Sequence, residues 1–289
     1  MTPDQYCQDK AAKSGSSFYY SFLFLTAEKR QAITALYAFC REVDDVVDEC
    51  NDPAIAKSQL QWWHNETEQL FKGKPTHPVT RALNTALKKF NLKQEHLQEI
   101  ITGMEMDLEV SHYHSFEDLM LYCHRAAGVV GLLAVEIFGY EQADTLKFAE
   151  NLGIAFQLTN IIRDIREDAQ RNRIYLPANE LEQFQVQPQD LITNITLDQV
   201  RNLIKYQVER AQDYYQRAFS FLPASDRYQQ RSSLIMANIY QALLKEIIHD
   251  NYRVIDHRIK LTPLRKLWIA WRTVRQEKTR HRRELRQSS

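Results

Sequence analysis

Two segments of the sequence carry the same row of polar side chains on an otherwise apolar helical pattern. The first row is Tyr37, Arg41, Asp44 and Asp48, and the second is Gln157, Asn160, Asp164 and Asp168. Steps of three and four residues put each row on one face of an α-helix. The remaining positions are mainly Leu, Ile, Val and Phe, and a helix that is apolar on most sides is normally buried. The two rows are therefore predicted to line an internal cavity.

Carboxylates on successive turns of a buried helix repel one another, so the pattern favours a cation between them. Mg²⁺ takes oxygen ligands, commonly from one or two carboxylates, and leaves positions for water and substrate phosphates. Two facing Asp pairs predict several Mg²⁺ ions that grip a diphosphate, with Arg41 and Arg163 beside them to bind phosphate oxygens. The alternatives are solvated acidic surfaces and internal ion pairs. Those pairs would join Arg41 to Asp44 and Asp45, and Arg163 to Glu167.

Composition and periodicity favour a single all-α body. The 289 residues include only 7 Gly and 8 Pro, and 44% are hydrophobic. Strand-like alternation is nearly absent, and no linker of low complexity interrupts the chain. Asp52 and Pro53 predict an N-cap and a first helical residue. Helices are predicted at 3–13, 27–50, 53–72, 77–89, 94–110, 115–140, 142–168, 197–220 and 226–250, with a final helix from about 262. Residues 172–190 are predicted to form a loop, in the position of a mobile lid.

The formal net charge of zero hides an uneven distribution. Residues 258–289 contain 11 Lys or Arg against Glu277 and Glu284, a balance of +9, so the rest of the chain carries 26 against 35, or −9. We predict a domain over 1–261 and a basic amphipathic tail over 262–289. Trp268, Ile269 and Trp271 would anchor the tail on an anionic membrane surface. A second interpretation of the tail is that the two Trp side chains pack on the body and the basic residues form a solvated face. The alternative from another class is a helical membrane-binding protein without catalysis.

Several features bear on location and cofactors. The four cysteines show no metal spacing, and the N-terminus has no apolar signal segment. These features predict a cytoplasmic protein, and the basic tail predicts a peripheral contact with the inner membrane. No strand precedes Gly128 and Gly131, so they predict close helix packing or room for substrate rather than a dinucleotide loop, and NADPH is not expected. The histidines have no zinc spacing and are interpreted as structural. No nucleic-acid partner is expected.

Four stretches resemble the squalene/phytoene synthase family. YAFCREVDDVVDE and QLTNIIRDIREDAQRNRIYLP are similar to its two signature motifs, and SGSSFYYSF and YCHRAAGVVG match as well. The resemblance covers roughly residues 4 to 260. It implies a single isoprenoid synthase domain, with helices around a central apolar cavity, that joins two prenyl diphosphates head to head with Mg²⁺.

The resemblance also implies roles for individual residues. It gives metal ligands at Asp44, Asp48, Asn160, Asp164 and Asp168. It gives diphosphate or substrate contacts at Tyr37, Arg41, Gln157, Asn160, Arg163, Tyr240 and Arg258, with Ser14 and Ser17 in a flap over the substrate. Tyr122, Arg173 and Tyr175 fall near the cavity, and Arg41 and Tyr175 are candidate catalytic groups. Glu105 and Asp107 are interpreted as helix-surface or structural acids, and the alternative is that they are further polar groups near the cavity.

A narrower likeness concerns the product. ITALYAFCREVDDVVDE, GMEMDLE and LTPLRKLWIAWR resemble the presqualene diphosphate synthases of bacteria that make hopanoids. This implies farnesyl diphosphate as substrate, presqualene diphosphate as product and downstream squalene-pathway enzymes as partners. The alternatives are complete squalene or dehydrosqualene synthesis and phytoene synthesis.

Overall fold

The computed structural model describes residues 1–13, 18–50, 52–193 and 195–287. Across these residues the chain is helical without any strand, and a single isolated bridge joins His112 to Ile174. The predicted all-α architecture is thereby confirmed. Ser14 and Ser17 of the predicted flap lie outside the described residues.

Thirteen α-helices are found in the part of the chain that the structure describes. In chain order they are α1 (Pro3–Lys13), α2 (Phe18–Phe22), α3 (Ala27–Glu49), α4 (Pro53–Phe71), α5 (Pro78–Leu87), α6 (Gln94–Glu109), α7 (Phe116–Cys123), α8 (Val129–Phe138), α9 (Asp144–Gln170), α10 (Ala178–Gln183), α11 (Asp198–Ser220), α12 (Arg231–His249) and α13 (Pro263–Gln287). A π-helical turn, His124–Gly128, joins α7 to α8, and Pro188–Leu191 and Ala224–Asp226 are 3₁₀ turns.

Local sequence signals set several of these boundaries. The Asp52 side chain accepts a hydrogen bond from the Ala54 amide at 2.8 Å, and Pro53 occupies the first turn of α4. This confirms the predicted helix start, because a carboxylate cap satisfies amides that have no partner within the helix. Ser115 and Asp118 form a capping box at the start of α7.

The two helices with the acidic rows are central to the molecule. The α3 helix packs on α1, α5, α6 and α8, and α9 packs on α8, α11, α12 and the π-helical turn. Glycines allow α8 and α9 to touch backbone to backbone. A Cβ on Gly131 would lie 2.2 Å from the Ala149 carbonyl oxygen, and one on Gly153 would lie 2.3 Å from the Ala127 oxygen. The predicted packing role of Gly131 is confirmed.

The helix Phe116–Phe138 is long and apolar enough to cross a membrane by length and composition, and it is the one described segment that passes this test. Within its most apolar window, 44% is buried inside the protein. Ala126, Val130 and Ala134, which are only half-buried, line the central cavity rather than the outer surface. The segment therefore serves as a wall of the cavity, where a π-helical turn is a common feature of functional sites.

The segment after α9 differs from its predicted form. The prediction of an open loop over 172–190 is wrong at Ala178–Gln183, which is helical, and at the 3₁₀ turn Pro188–Leu191. Ile174, Tyr175 and Leu176 are buried, and the Ala178 amide donates to the Tyr113 carbonyl at 2.8 Å. The buried side chains of Ile174, Tyr175 and Leu176 hold this segment against the body of the protein. The segment therefore forms part of the cavity wall.

Candidate active site

One cavity of about 780 Å³ runs between α3, α6, α8, α9 and α12. Every predicted site residue that the structure describes lines it: Tyr37, Arg41, Asp44, Asp48, Tyr122, Gln157, Asn160, Arg163, Asp164, Asp168, Arg173, Tyr175, Tyr240 and Arg258. The polar side chains gather at one end, where α3 and α9 end. Because a helix rises 1.5 Å per residue, Ile33 at the apolar end lies about 16–22 Å along α3 from Asp44 and Asp48.

The acidic row on α3 is balanced by arginines. Arg41 forms ion pairs with Asp44 and Asp45, which are among the internal pairs considered from the sequence. Arg173, from the segment after α9, donates to the Asp48 carboxylate at 2.6 Å and to the Val47 carbonyl at 2.9 Å. Burial, opposed by Arg41 and reinforced by Asp48, raises the pKa of Asp44 to about 6. The acidic row on α3 therefore forms internal ion pairs and also lines the cavity.

The acidic row on α9 is balanced less evenly. Arg163 and Arg258 both pair with Asp164, the latter at 2.7 Å, and Arg163 does not form the considered pair with Glu167. Asp168 makes no ion pair with any described residue. Burial, together with the negative charges of Asp164 and Asp107, raises the pKa of Asp168 to about 7. A second arginine holds the segment that carries Arg258, since Arg166 donates to the Ile255 carbonyl at 3.2 Å.

The donors at this end of the cavity fit Mg²⁺. Among the described residues, no group of three or more acidic, His or Cys side chains is close enough to hold a metal by itself. Mg²⁺ does not require such a group, because it keeps waters and shares its positions with substrate phosphates. The Asn160 side-chain oxygen is buried and finds no hydrogen-bond partner in the described chain. The Asn160 oxygen lies on the same row of α9 as the carboxylates of Asp164 and Asp168. Together these groups form a set of oxygen donors of the kind that a hard cation binds.

A buried carboxylate between two tyrosines forms the wall beside the acidic end. The hydroxyls of Tyr122 and Tyr175 donate to the two oxygens of Asp107 at 3.1 and 2.9 Å. The two rings stack with centroids 5.1 Å apart, and Tyr113 stacks on Tyr175 at 6.1 Å. Burial raises the pKa of Asp107 to about 7, although Arg173 and the tyrosine hydroxyls oppose the shift.

The structure corrects one interpretation and adds two residues to the site. Asp107 was interpreted as a surface or structural acid, and that is wrong because it lines the cavity. Its neighbour Glu105 pairs with His64 at 3.3 Å, as a structural acid does. Lys266, assigned from the sequence to the membrane-binding tail, also lines the cavity. Burial and the nearby Arg163 lower its pKa. The GMEMDLE motif was the available signal for Asp107, whereas Lys266 lay in a segment read only for its charge.

Aromatic side chains cover the cavity where α2 crosses it. The Phe18 ring lies 5.8 Å from the ring of Tyr37 and 6.4 Å from that of Tyr240. Phe156 lies 4.8 Å from Tyr240. Burial raises the pKa of Tyr240 and the nearby positive charge of Arg163 opposes that rise, so Tyr240 stands where the apolar and the charged parts of the cavity meet. Deeper in, the lining is apolar: Phe22, Ile33, Ile100, Met104, Ala134, Phe138, Leu152, Met236 and Leu243.

Comparison with known proteins decides the family. Residues 11–265 match the profile of squalene/phytoene synthases. This chain belongs to the squalene/phytoene synthase family. It is 34% identical over 280 residues to a 15-cis-phytoene synthase of Synechocystis sp., covering 92% of this chain and 83% of that protein. It is also 34% identical over 270 residues to a chloroplastic phytoene synthase of Narcissus pseudonarcissus, covering 90% of this chain but only 63% of the relative.

Solved structures of the family superpose on the fold. A dehydrosqualene synthase in complex with a ligand has a TM-score of 0.87 and 29% identity, with 96% of this chain and 97% of that chain covered. The squalene synthase HpnC from Alicyclobacillus acidocaldarius has a TM-score of 0.75 and 29% identity, with coverage of 86% and 94%. Members of the family are prenyltransferases that condense prenyl diphosphates head to head with a divalent metal. The prediction that the protein is a transferase of isoprenoid biosynthesis is therefore confirmed at the level of the family.

Proposed function

We propose that this protein condenses two molecules of farnesyl diphosphate head to head and releases presqualene diphosphate and one inorganic diphosphate. The observation that carries the proposal is one cavity of about 780 Å³ that has an acidic and arginine-rich end and an apolar body. Ligand cavities of a few hundred to about 1,000 Å³ typically enclose most of a small molecule. The charged end suits diphosphates, and the apolar body suits isoprenoid chains.

Asp44, Asp48, Asn160, Asp164 and Asp168 would hold the Mg²⁺ ions. When bound, Mg²⁺ neutralises diphosphate charge and so makes diphosphate a better leaving group. The arginines of the site are available for the same anion, since each is paired with a carboxylate that a metal would take over. Planar guanidinium groups bind phosphate oxygens through two parallel hydrogen bonds, which fixes the diphosphate in place.

The proton that the reaction must lose has an acceptor in the wall. After the first diphosphate leaves, the C2=C3 double bond of the second farnesyl group attacks the allylic cation, and a proton departs as the cyclopropane closes. We assign that proton to the hydroxyl oxygen of Tyr122 or Tyr175, whose own proton passes to Asp107. The raised pKa of Asp107 makes its carboxylate a stronger base than an exposed Asp.

The apolar body keeps water away from the cation. Phe18, Phe156 and Tyr240 cover the cavity near the charged end, and Phe22 and Phe138 lie deeper along it. Excluding water prevents a carbocation from being quenched as an alcohol, and it strengthens each electrostatic contact with the leaving group. The likeness to dehydrosqualene and squalene synthases of known structure, at 29% identity, supports farnesyl chains as the occupants.

Phytoene synthesis is the second candidate. Relatives at 34% identity over about nine tenths of the chain are phytoene synthases, which favours geranylgeranyl diphosphate as the alternative substrate. The same catalytic groups would serve both substrates, because the two differ only in the length of the apolar chain. The distinction therefore rests on the product.

Product analysis tests the proposal. The purified protein is supplied with Mg²⁺ and either farnesyl or geranylgeranyl diphosphate, each with and without NADPH. We expect presqualene diphosphate from farnesyl diphosphate, unchanged by NADPH. Squalene formed with NADPH would show that the reaction continues, and higher kcat/KM for phytoene formation from geranylgeranyl diphosphate would favour the second candidate.

A further inference from the structure

The C-terminal helix α13 packs one face firmly on the body of the protein. Ile269, Ala270, Thr273 and Glu277 are buried against it. The Asn238 amide donates to the Thr273 hydroxyl at 2.8 Å, and Arg227 pairs with Glu277 at 2.7 Å. The sequence expectation that Ile269 is a membrane anchor is therefore wrong, because its side chain belongs to the core.

The opposite face of α13 is apolar and exposed. Leu264, Leu267, Trp268 and Trp271 are exposed by 80%, 40%, 54% and 52%. Their spacing of three and four residues puts them on one side of the helix, which we name the tryptophan patch. Large apolar side chains scattered singly over a surface are ordinary, whereas a contiguous set marks an interaction site.

Unpaired cations flank the tryptophan patch. The guanidinium of Arg272 lies 5.2 Å from the Trp268 ring, and that of Arg275 lies 5.3 Å from the Trp271 ring. Arg272, Arg275 and Lys278 form no ion pair with any residue that the structure describes, in contrast to Arg265, which pairs with Glu246 at 2.6 Å. Aromatic rings with basic groups around them are typical of side chains at the boundary between lipid headgroups and acyl chains.

The N-terminal end of α13, where the patch begins, lies beside the cavity. Leu261 and Lys266, on either side of Leu264 in the sequence, both line it. Lys266 also lies 5.7 Å from the ring of Tyr20 on α2, and the ring of Tyr19, which is 45% exposed, lies 6.2 Å from that of Tyr20. An apolar surface at this position would bring the cavity close to whatever the patch binds.

We propose that the tryptophan patch docks the protein on the surface of an anionic lipid bilayer, with α13 lying in the plane of the interface and the cavity beside the membrane. Charge complementarity selects this partner, because the cations around the patch have no acidic partners in the described structure. Each Lys or Arg near an anionic bilayer surface strengthens binding, and salt weakens that term. Long apolar substrates and products could then pass between the bilayer and the cavity with little exposure to water.

Vesicle co-sedimentation of the full chain tests the proposal independently of catalysis. The vesicles are equimolar phosphatidylglycerol and phosphatidylcholine, or phosphatidylcholine alone. We expect binding to the anionic vesicles that falls as salt is raised. Trp268→Ser with Trp271→Ser should lower the partition coefficient by at least about tenfold. The triple variant Arg272→Gln, Arg275→Gln, Lys278→Gln should lower it by tenfold to roughly a hundredfold at low salt.

Matched controls come from α4, α5 and the turn before α6. Ile55→Ser with Trp62→Ser removes two exposed apolar side chains from α4, and a triple change of Arg81, Lys88 and Lys93 to Gln removes the same charge elsewhere. Both controls should bind as the native chain does. Point variants are preferred to deletion of α13, because deletion would uncover buried groups on α12, and melting temperatures confirm that each variant is folded.

Three results would overturn the proposal. The first is no binding by the native chain, and the second is equal loss in patch and control variants. The third is native self-association that the tryptophan variants abolish without any vesicle binding, which would assign the patch to a second copy of this chain.

Discussion

The acidic rows on α3 and α9 are alike in sequence and unlike in how their charges are balanced. On α3, Asp44 pairs with Arg41, and Asp48 pairs with Arg173. On α9, Asp164 takes two arginines, while Asp168 has no cationic partner among the described residues. The α9 row also contains the orphaned Asn160 oxygen. The difference is that each carboxylate of the α3 row has an arginine partner, whereas Asp168 and the Asn160 oxygen on α9 are left without a partner from the described protein.

The largest expected effect is on catalytic activity, and substitutions in the two acidic rows should lower it by similar amounts. Asp48→Asn and Asp168→Asn should each lower kcat/KM by roughly a thousandfold, because each removes charge that stabilises the departing diphosphate through the metal. Diphosphate release from farnesyl diphosphate is the measurement. Glu49→Gln is the matched control on α3, since Glu49 is exposed and lies outside the cavity, and it should keep most of the activity. A fully active Asp168→Asn enzyme would remove the α9 row from the site.

A second prediction concerns the carboxylate that belongs to neither row. Asp107→Asn should lower kcat by roughly a hundredfold, the ordinary scale for losing a general base. Asp107 must be ionised to accept a proton, so native activity should rise with pH through about 7, where its pKa lies. In saturating Mg²⁺, which keeps Asp44 and Asp168 ionised, the Asn variant should lose that rise, which a purely structural defect would not cause. Glu105→Gln, two residues away and paired with His64, is the control.

The smallest expected effect is on the melting temperature, measured in excess chelator, and it should differ between the two acidic rows. Asp168→Asn should raise the melting temperature at pH 8 by about 2–4 °C, because it removes a buried, unpaired charge. The folded-state pKa of about 7 lies above the ordinary 3.8, so the native Asp costs most stability above pH 7. The gain should therefore shrink as pH falls from about 7 toward 3.8.

The α3 counterpart should behave differently in the same scans. Asp48→Asn breaks the ion pair with Arg173 and leaves that partly buried guanidinium without its carboxylate. It should therefore not stabilise the protein at any pH. Equal melting shifts for the two variants would contradict the comparison between the rows.

Helical periodicity predicted most of the fold because these helices bury continuous apolar faces. The predicted ranges for α3, α4, α6 and α11 agree with the structure to within a residue at each end. The short α2 and α10 were missed, since five or six residues give too little periodicity to detect. The π-helical turn at His124–Gly128 was also missed, because it is set by packing against α6 and α9 rather than by local preference.

The candidate site was predictable where the polar residues repeat on one helix face. Arg173 and Arg258 lie on irregular segments, and the resemblance rather than periodicity pointed to them. Asp107 and Lys266 could not be assigned, since a single acid on α6 or a single lysine in a basic tail gives no indication of its direction. Only the packing of their helices turns them toward the cavity.

The most direct test of the account is inorganic diphosphate release from farnesyl diphosphate, measured on the native protein in Mg²⁺ and in excess chelator. The account predicts Mg²⁺-dependent release, one diphosphate for every two farnesyl groups consumed, restored when Mg²⁺ is added back. An undiminished rate in excess chelator would contradict it, because the acidic rows would then have no part in the departure of diphosphate.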